Sequence, residues 1–177
     1  MANSSTSPAA AGPGGAHFEA RVGAFYLLAM LLDAEPRGLP GASIGRIKFQ
    51  GAGDGFPLDD VIVHATSIAG DAAVLEIQAK HKIAFSPGDT VFQKVAGQIV
   101  DALKAGKLDG PSPYAVGIAT AQGSRQIDGA YQEVLSWARH CESAEAFFRK
   151  LDRRGASNES MRAFVAHTPH ARCDLWR

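Results

Sequence analysis

Apolar positions recur at steps of three and four from about Ala16 to Leu32, where Phe18, Val22, Phe25, Ala29 and Leu32 share one helical face. Much of the remainder of that stretch is apolar too. The helix this predicts ends in "DAEPRGLPG", where two prolines and two glycines stop it. The period then falls to two. "SIGRIKFQ" sets Ile44, Arg46 and Lys48 against Gly45, Ile47 and Phe49, a half-exposed strand. "GAGDGFP" turns the chain, and "LDDVIVHAT" gives a second strand, rich in β-branched residues after two aspartates. After "IAGDA", a third strand runs through "AVLEIQAKHKI". The connections are too short for parallel crossovers, so an antiparallel meander is expected.

In "SPGD", Ser86 suits a helix cap, Pro87 the first helical position and Asp89 the positive end of the dipole. The helix is expected to run to about Gly106 with Phe92, Val95, Ile99 and Leu103 inward. "DGPSP" breaks it, and "YAVGIATA" is a fourth strand that the helical crossover allows to pair in parallel with an earlier one. Helices near Gln126–Cys141, Ala144–Arg153 and Asn158–Ala166 finish the chain. The expected class is α/β (α+β): an αβββαβ core with a mixed central sheet, flanked by helices. Residues 16–177 are read as a single domain, with its core at about 16–121 and terminal helices at about 124–168. The small, Pro/Gly-rich residues 1–15 lack the basic and apolar parts of a secretory signal and are expected to be a disordered tail.

Composition narrows the picture. The 177 residues are 46% hydrophobic and 20% charged, a globular balance with room for a sizeable core. A net charge of zero disfavours a surface that is basic throughout, but leaves room for a local basic patch. "AFYLLAMLL" is far short of the roughly 20 apolar residues a bilayer requires, so no membrane span is expected. Cys141 and Cys173 have neither metal-ligand spacing nor a disulfide framework and suit a reducing cytoplasm. The abrupt end at "CDLWR" suggests the N-terminal part of a longer protein.

The third strand carries the candidate chemistry. Alternation puts Val74, Glu76, Gln78 and Lys80 on one face, and an unpaired ammonium within such an apolar run would cost several kcal/mol. Asp59 or Asp60 of the neighbouring strand, about 4.8 Å away across the ladder, could converge on Gln78 and Lys80. One carboxylate, an amide or carbonyl oxygen and several waters suit Mg²⁺. The lysine could then orient an attacking water and offset charge building on a phosphate.

With Glu19 in the first helix, "PLDDVIV" in the second strand and "QAK" in the third, the chain resembles the PD-(D/E)XK nuclease superfamily over roughly Gly15 to Ala121. The glutamine in place of the usual acid is similar to Mrr-type restriction endonucleases and to the double-stranded DNA endonuclease domains at the N-terminus of bacterial antiviral STAND NTPases. The resemblance implies a restriction-endonuclease-like fold and a cytoplasmic, Mg²⁺-dependent (or Mn²⁺-dependent) deoxyribonuclease acting in antiviral defence. It also implies oligomerisation through a C-terminal sensor or ATPase module. Gln78 and Lys80 take the QxK places. Asp59 is favoured as the metal aspartate with Asp60 as the alternative, and Glu19 assists the metal. An uncharged Gln78 leaves fewer negative ligands, which should weaken the ion's hold.

Each residue also has a plainer reading. Lys80 could snorkel from a strand end, Gln78 could bond an edge backbone, and the two aspartates could serve a turn. Glu19 could simply favour a helix N-terminus. Glu76 does not match the motif and is read as paired with a nearby cation. His64 and His81 are read as surface groups, and Gln93 and Lys94 as a solvated helix face or an approach to DNA. The basic residues from Arg149 to Arg154, with Lys104, Lys107 and Arg125, are read first as solvated and second as phosphate contacts. "GSRQ" could hold a phosphate on free N–H groups, weakly. The chain lacks GxxxxGK[ST], HExxH, GxSxG and paired CxxC patterns. The rival reading is a catalytically inactive nuclease-fold module for DNA binding or assembly.

Overall fold

A computed structural model describes residues 12–108, 110–121 and 123–167. The proposed tail lies outside them as far as residue 11, and residues 12–15 form the first turn of a helix rather than a disordered segment. Cys173 also lies outside. The described residues fall into two compact units. The first runs to Lys82 and resumes from Gly97 to Ala121, and the second holds Ile83–Ala96 and the described residues beyond Gln122.

The first unit opens with α1 (Gly12–Leu31). It ends as a Schellman motif: the Ala34 N–H donates to the Ala29 carbonyl at 2.9 Å and the Asp33 N–H to the Met30 carbonyl at 3.2 Å. Asp33 takes the left-handed conformation that closes the motif (φ 49°), a place more often filled by glycine and tolerated by aspartate. Strands β1 (Ala42–Phe49), β2 (Val61–Ser67) and β3 (Ala72–Lys80) pair antiparallel in sequence order. A 3₁₀ turn at Gly51–Asp54 lies between β1 and β2. Strand β4 (Tyr114–Thr120) adds parallel to β3, so the four-stranded sheet is mixed, with the order β1-β2-β3-β4. The chain is therefore α+β, as its hydrophobic pattern predicts.

One sheet face makes the core. Val61, Val63, Ala65, Ala73, Leu75 and Ile77 are buried there against Val22 and Tyr26 of α1, with Phe18 half-buried beside them. Burying side chains of this size is worth about 1.5–3 kcal/mol each. The helical face read from sequence is corrected: Val22 packs inward, but Phe25 and Leu32 face solvent. Because α1 is apolar nearly all round, steps of three and four fit more than one of its faces. Gly23 lets α1 lie close to β1, since a Cβ there would run into the Phe49 ring.

The helix α2 (Thr90–Lys104) begins later than expected, and its cap is Asp89 rather than Ser86. The Asp89 carboxylate accepts the Val91 N–H at 2.8 Å and the Ala84 N–H at 2.5 Å, whereas the Ser86 carbonyl accepts the Asp89 N–H in a turn. A carboxylate reaches the open N–H groups with full charge, which a hydroxyl lacks. The second unit contains a π-helical turn at Gln126–Tyr131, α3 (Gln132–His140), α4 (Ala144–Asp152) and α5 (Glu159–His167). Its core gathers Val134, Trp137, Phe147, Leu151, Met161 and Phe164. The Ser124 hydroxyl accepts the N–H of Ile127, the residue just after "GSRQ". Arg149, Lys150, Arg153 and Arg154 are exposed, with Lys150 over the Trp137 ring. Among the described residues no helix is long and apolar enough to cross a membrane.

The other sheet face carries a fully buried carboxylate. Glu76 accepts the Leu58 N–H at 2.9 Å, the Lys107 ammonium at 3.0 Å and the Tyr114 hydroxyl. Lys107 also donates to the Gly55 carbonyl at 2.7 Å and sits over the Phe56 ring. Thus Glu76 has the cationic partner the sequence suggested, and Lys107 is no free surface charge. Together they pin residues 55–58 onto β3. Glu76→Ala should strand the ammonium and the Leu58 N–H and cost about 3–5 kcal/mol in urea unfolding. A loss below about 1 kcal/mol, the level of an exposed ion pair, would show that the network does not hold the loop.

Candidate active site

Backbone pairing sets the site. In the β2–β3 ladder Val61 faces Ile77 and Ile62 faces Glu76. One step further, the register puts Asp60 opposite Gln78, and directly opposed residues of an antiparallel pair project from the same face. The Asp60 carboxylate accordingly meets β3: Oδ2 accepts from Gln78 Nε2 at 2.5 Å, the Ala79 N–H at 2.8 Å and Lys80 Nζ at 3.0 Å. Lys80 also donates to the Ala79 carbonyl at 3.1 Å. Its ammonium is therefore held over the strand end by an acid and a carbonyl, partly open to water.

The sequence favoured Asp59 for this role with Asp60 as the alternative, and the Asp60 carboxylate meets both Gln78 and Lys80. Asp59 is buried at the strand entrance, where its backbone carbonyl accepts the Gly51 N–H at 2.7 Å. The Asp60 carbonyl accepts the Gln50 N–H at 3.3 Å, so the end of β1 holds the backbone of both aspartates.

Glu19 reaches the cluster through a residue that the sequence did not flag. Gln50 Nε2 donates to Glu19 Oε1 at 2.6 Å, tying α1 to the end of β1. Gln50 itself sits in the left-handed region (φ 58°), and Gly51 follows because a Cβ there would lie 2.8 Å from Ile62. A non-glycine residue in this conformation is uncommon and is often found where function demands it. A polar residue just before "GAGDG" was the only signal available.

Burial pushes the Glu19 carboxyl above its ordinary value, and the charges of Asp60 and Asp59 push it further, against the lowering effects of the Gln50 hydrogen bond and Lys80. Negative potential is thus concentrated where a cation would relieve it. One more atom bears on that question: Gln78 Oε1 is buried and has no hydrogen-bond partner. A buried amide oxygen without a partner is unusual and calls for a water or an ion. An amide oxygen such as this and carboxylates such as those of Asp60 and Glu19 are hard donors of the kind Mg²⁺ accepts. Among the described residues, no group of three or more His, Cys, Asp or Glu side chains is arranged to hold a metal, so any such site depends on the amide.

The remaining candidates lie elsewhere. Half-buried His64 pairs with Arg46 Nη2 at 3.0 Å, and its pKa is lowered by burial first and then by Arg46 and Lys48. Exposed His81 meets the Phe18 ring edge-on. Gln93 is exposed and donates to the Pro87 carbonyl. No family model, curated protein or solved structure matches the chain.

The raised Glu19 pKa has a defined sign. The folded state prefers the protonated acid, so this contribution to stability is complete below the unfolded value near 4.5 and is lost as pH rises through the folded value. In EDTA, Glu19→Gln should therefore gain stability relative to the parent between about pH 4 and pH 7, followed by urea midpoints. The substituted amide can still accept from Gln50. A gap that stays flat across the interval would refute the burial of this acid.

Proposed function

We propose that the first unit is a metal-dependent nuclease centre that hydrolyses phosphodiester bonds, with duplex DNA as its substrate. The observation that carries this reading is the meeting of Asp60, Gln78 and Lys80 at the open end of the β2–β3 pair, with the Gln78 amide oxygen buried and unpartnered. Asp60 and Gln78 would hold Mg²⁺ (or Mn²⁺), assisted by Glu19. When bound, the ion would polarise the phosphodiester and make a water a better nucleophile near neutral pH. Lys80 offsets the charge that grows on the phosphate and orients the attacking water from its perch over the strand end. Gln50 holds Glu19 toward the centre, and the Glu76 network keeps the aspartate-bearing loop in register. In the broader proposal this unit is the DNA-cutting effector of a cytoplasmic antiviral protein, assembled by a sensor or ATPase module.

One observation favours a second reading, a nuclease-fold module that binds DNA without cutting it. Asp60 Oδ2 already takes three donors, an arrangement that a satisfied structural ion pair would also show. Plasmid cleavage separates the two. With Mg²⁺ present, Lys80→Ala and Asp60→Asn should each cut supercoiled DNA about a hundredfold more slowly or worse, and EDTA should stop the parent. Near-parental unfolding midpoints would show that both variants fold. Undiminished cleavage by either variant removes that residue from the mechanism. A parent protein that retains DNA but never nicks it with Mg²⁺ or Mn²⁺ supports the binding module.

A further inference from the structure

Strand β1 carries a bulge that relocates a cation. Ala42, Ser43 and Ile44 oppose Ser67, Thr66 and Ala65 in turn, but the next residue to pair is Arg46, which opposes His64. An unbroken ladder would set Arg46 against Val63, on the face that makes the core. The unpaired Gly45 sends it to the other face, where Lys48 opposes Ile62 and Ile62 opposes Glu76. Alternate residues of a strand share a face, so this is also the face of Asp60, Gln78 and Lys80. Bulges often re-aim a side chain beside a functional site.

The relocated guanidinium meets no acid. Arg46 is exposed, and its Nη2 lies 3.0 Å from His64 Nε2. A guanidinium only donates, so the imidazole accepts and is uncharged. Among the described residues no carboxylate pairs with Arg46, whereas Asp54 neutralises Lys48. Glu76, on the same face, is taken up by Lys107 and Tyr114, and the Phe56 ring meets the imidazole edge-on. Burial, then Arg46 and Lys48, hold the His64 pKa below its ordinary value, so the charges acting on this ring are positive. An anion would relieve them. We propose, building on the nuclease reading, that Arg46 and His64 together hold a backbone phosphate of the duplex away from the scissile bond. Four residues along β2 separate His64 from Asp60, about 13 Å, the axial rise of about four nucleotides of one strand. Arg46 turns its N–H groups onto the phosphate oxygens, and His64, released from Arg46, takes a proton from solvent and donates as well.

Duplex binding by the full chain, followed by fluorescence anisotropy in EDTA, tests this site apart from cleavage. Arg46→Ala should weaken binding about fivefold or more and lower the salt slope by about one. Parental affinity should rise as pH falls from about 8 to about 6, because His64 gains its proton only in the complex, and His64→Gln should flatten that rise. With Mg²⁺ present, the loss in Arg46→Ala should lie in KM, with kcat parental. Since Arg46 is exposed, its variant should unfold at the parental urea midpoint. A parent without affinity for duplex, or an affinity indifferent to Arg46→Ala, overturns the site even where plasmid is cut. Binding that depends on Arg46 without any cutting upholds the site and overturns the nuclease centre instead. A pH response that survives His64→Gln overturns the part given to the imidazole. A His64 ring resonance moved by inorganic phosphate but not by duplex overturns the assignment to DNA.

Discussion

The candidate site depends on a single register relation, that of β2 against β3. Direct opposition in an antiparallel pair decides which side chains share a face, and a slip of one residue would send Asp60 to the α1 side. The register is held firmly because Val61, Val63, Leu75 and Ile77 are all buried on that side, and a slip would exchange them for polar neighbours. Loop anchoring supplies the rest. Glu76, two residues along β3 from Gln78, takes the Leu58 N–H and so fixes the approach to the aspartates from the same face that carries the site. Hydrophobic burial on one face and a satisfied carboxylate on the other thus specify the same alignment.

Gathering three donors on one aspartate oxygen has two consequences. Lys80 is aimed without being sealed from water, as its proposed contact with a phosphate requires. Asp60 is also held in competition, since any cation entering must share an oxygen already engaged by an ammonium and an amide. On the proposed reading, that competition predicts a weakly held ion, helped by the charge of the substrate itself. The raised pKa of Glu19 points the same way: burial and the neighbouring acids disfavour its charge, which nearby positive charge would relieve.

Much of this was legible in the chain because strands and turns announce themselves by period and glycine. The meander and the acid-amide-lysine set on β2 and β3 follow from alternation and connection length, which also allow the parallel fourth strand without requiring it. The choice between Asp59 and Asp60 does not, because it needs the pairing register, and parity along β2 alone leaves both open. The buried face of α1 was misread for a related reason: "AFYLLAMLL" satisfies helical spacing in several directions, and only the packing of Val22 and Tyr26 on the sheet decides among them. Gln50 was invisible since its importance lies in a backbone conformation and a contact thirty-one positions away along the sequence. The cap of α2 went to Asp89 because a charged acceptor competes better than Ser86 for open N–H groups, a contest that the pattern "SPGD" leaves undecided.

The two faces of α1 belong to one argument. A helix needs only one apolar stripe to pack on a sheet, and the opposite face ordinarily carries charge to keep the molecule dispersed. Here charge is withheld across eleven positions and restored, with opposite sign, at each end. The inward face does the ordinary work, placing Val22 and Tyr26 on the sheet and Glu19 beside Gln50. Stability of the isolated unit therefore gives no reason for Leu28, Leu31 and Leu32 to be apolar, and solubility opposes it. A selective advantage for such a face must come from what covers it.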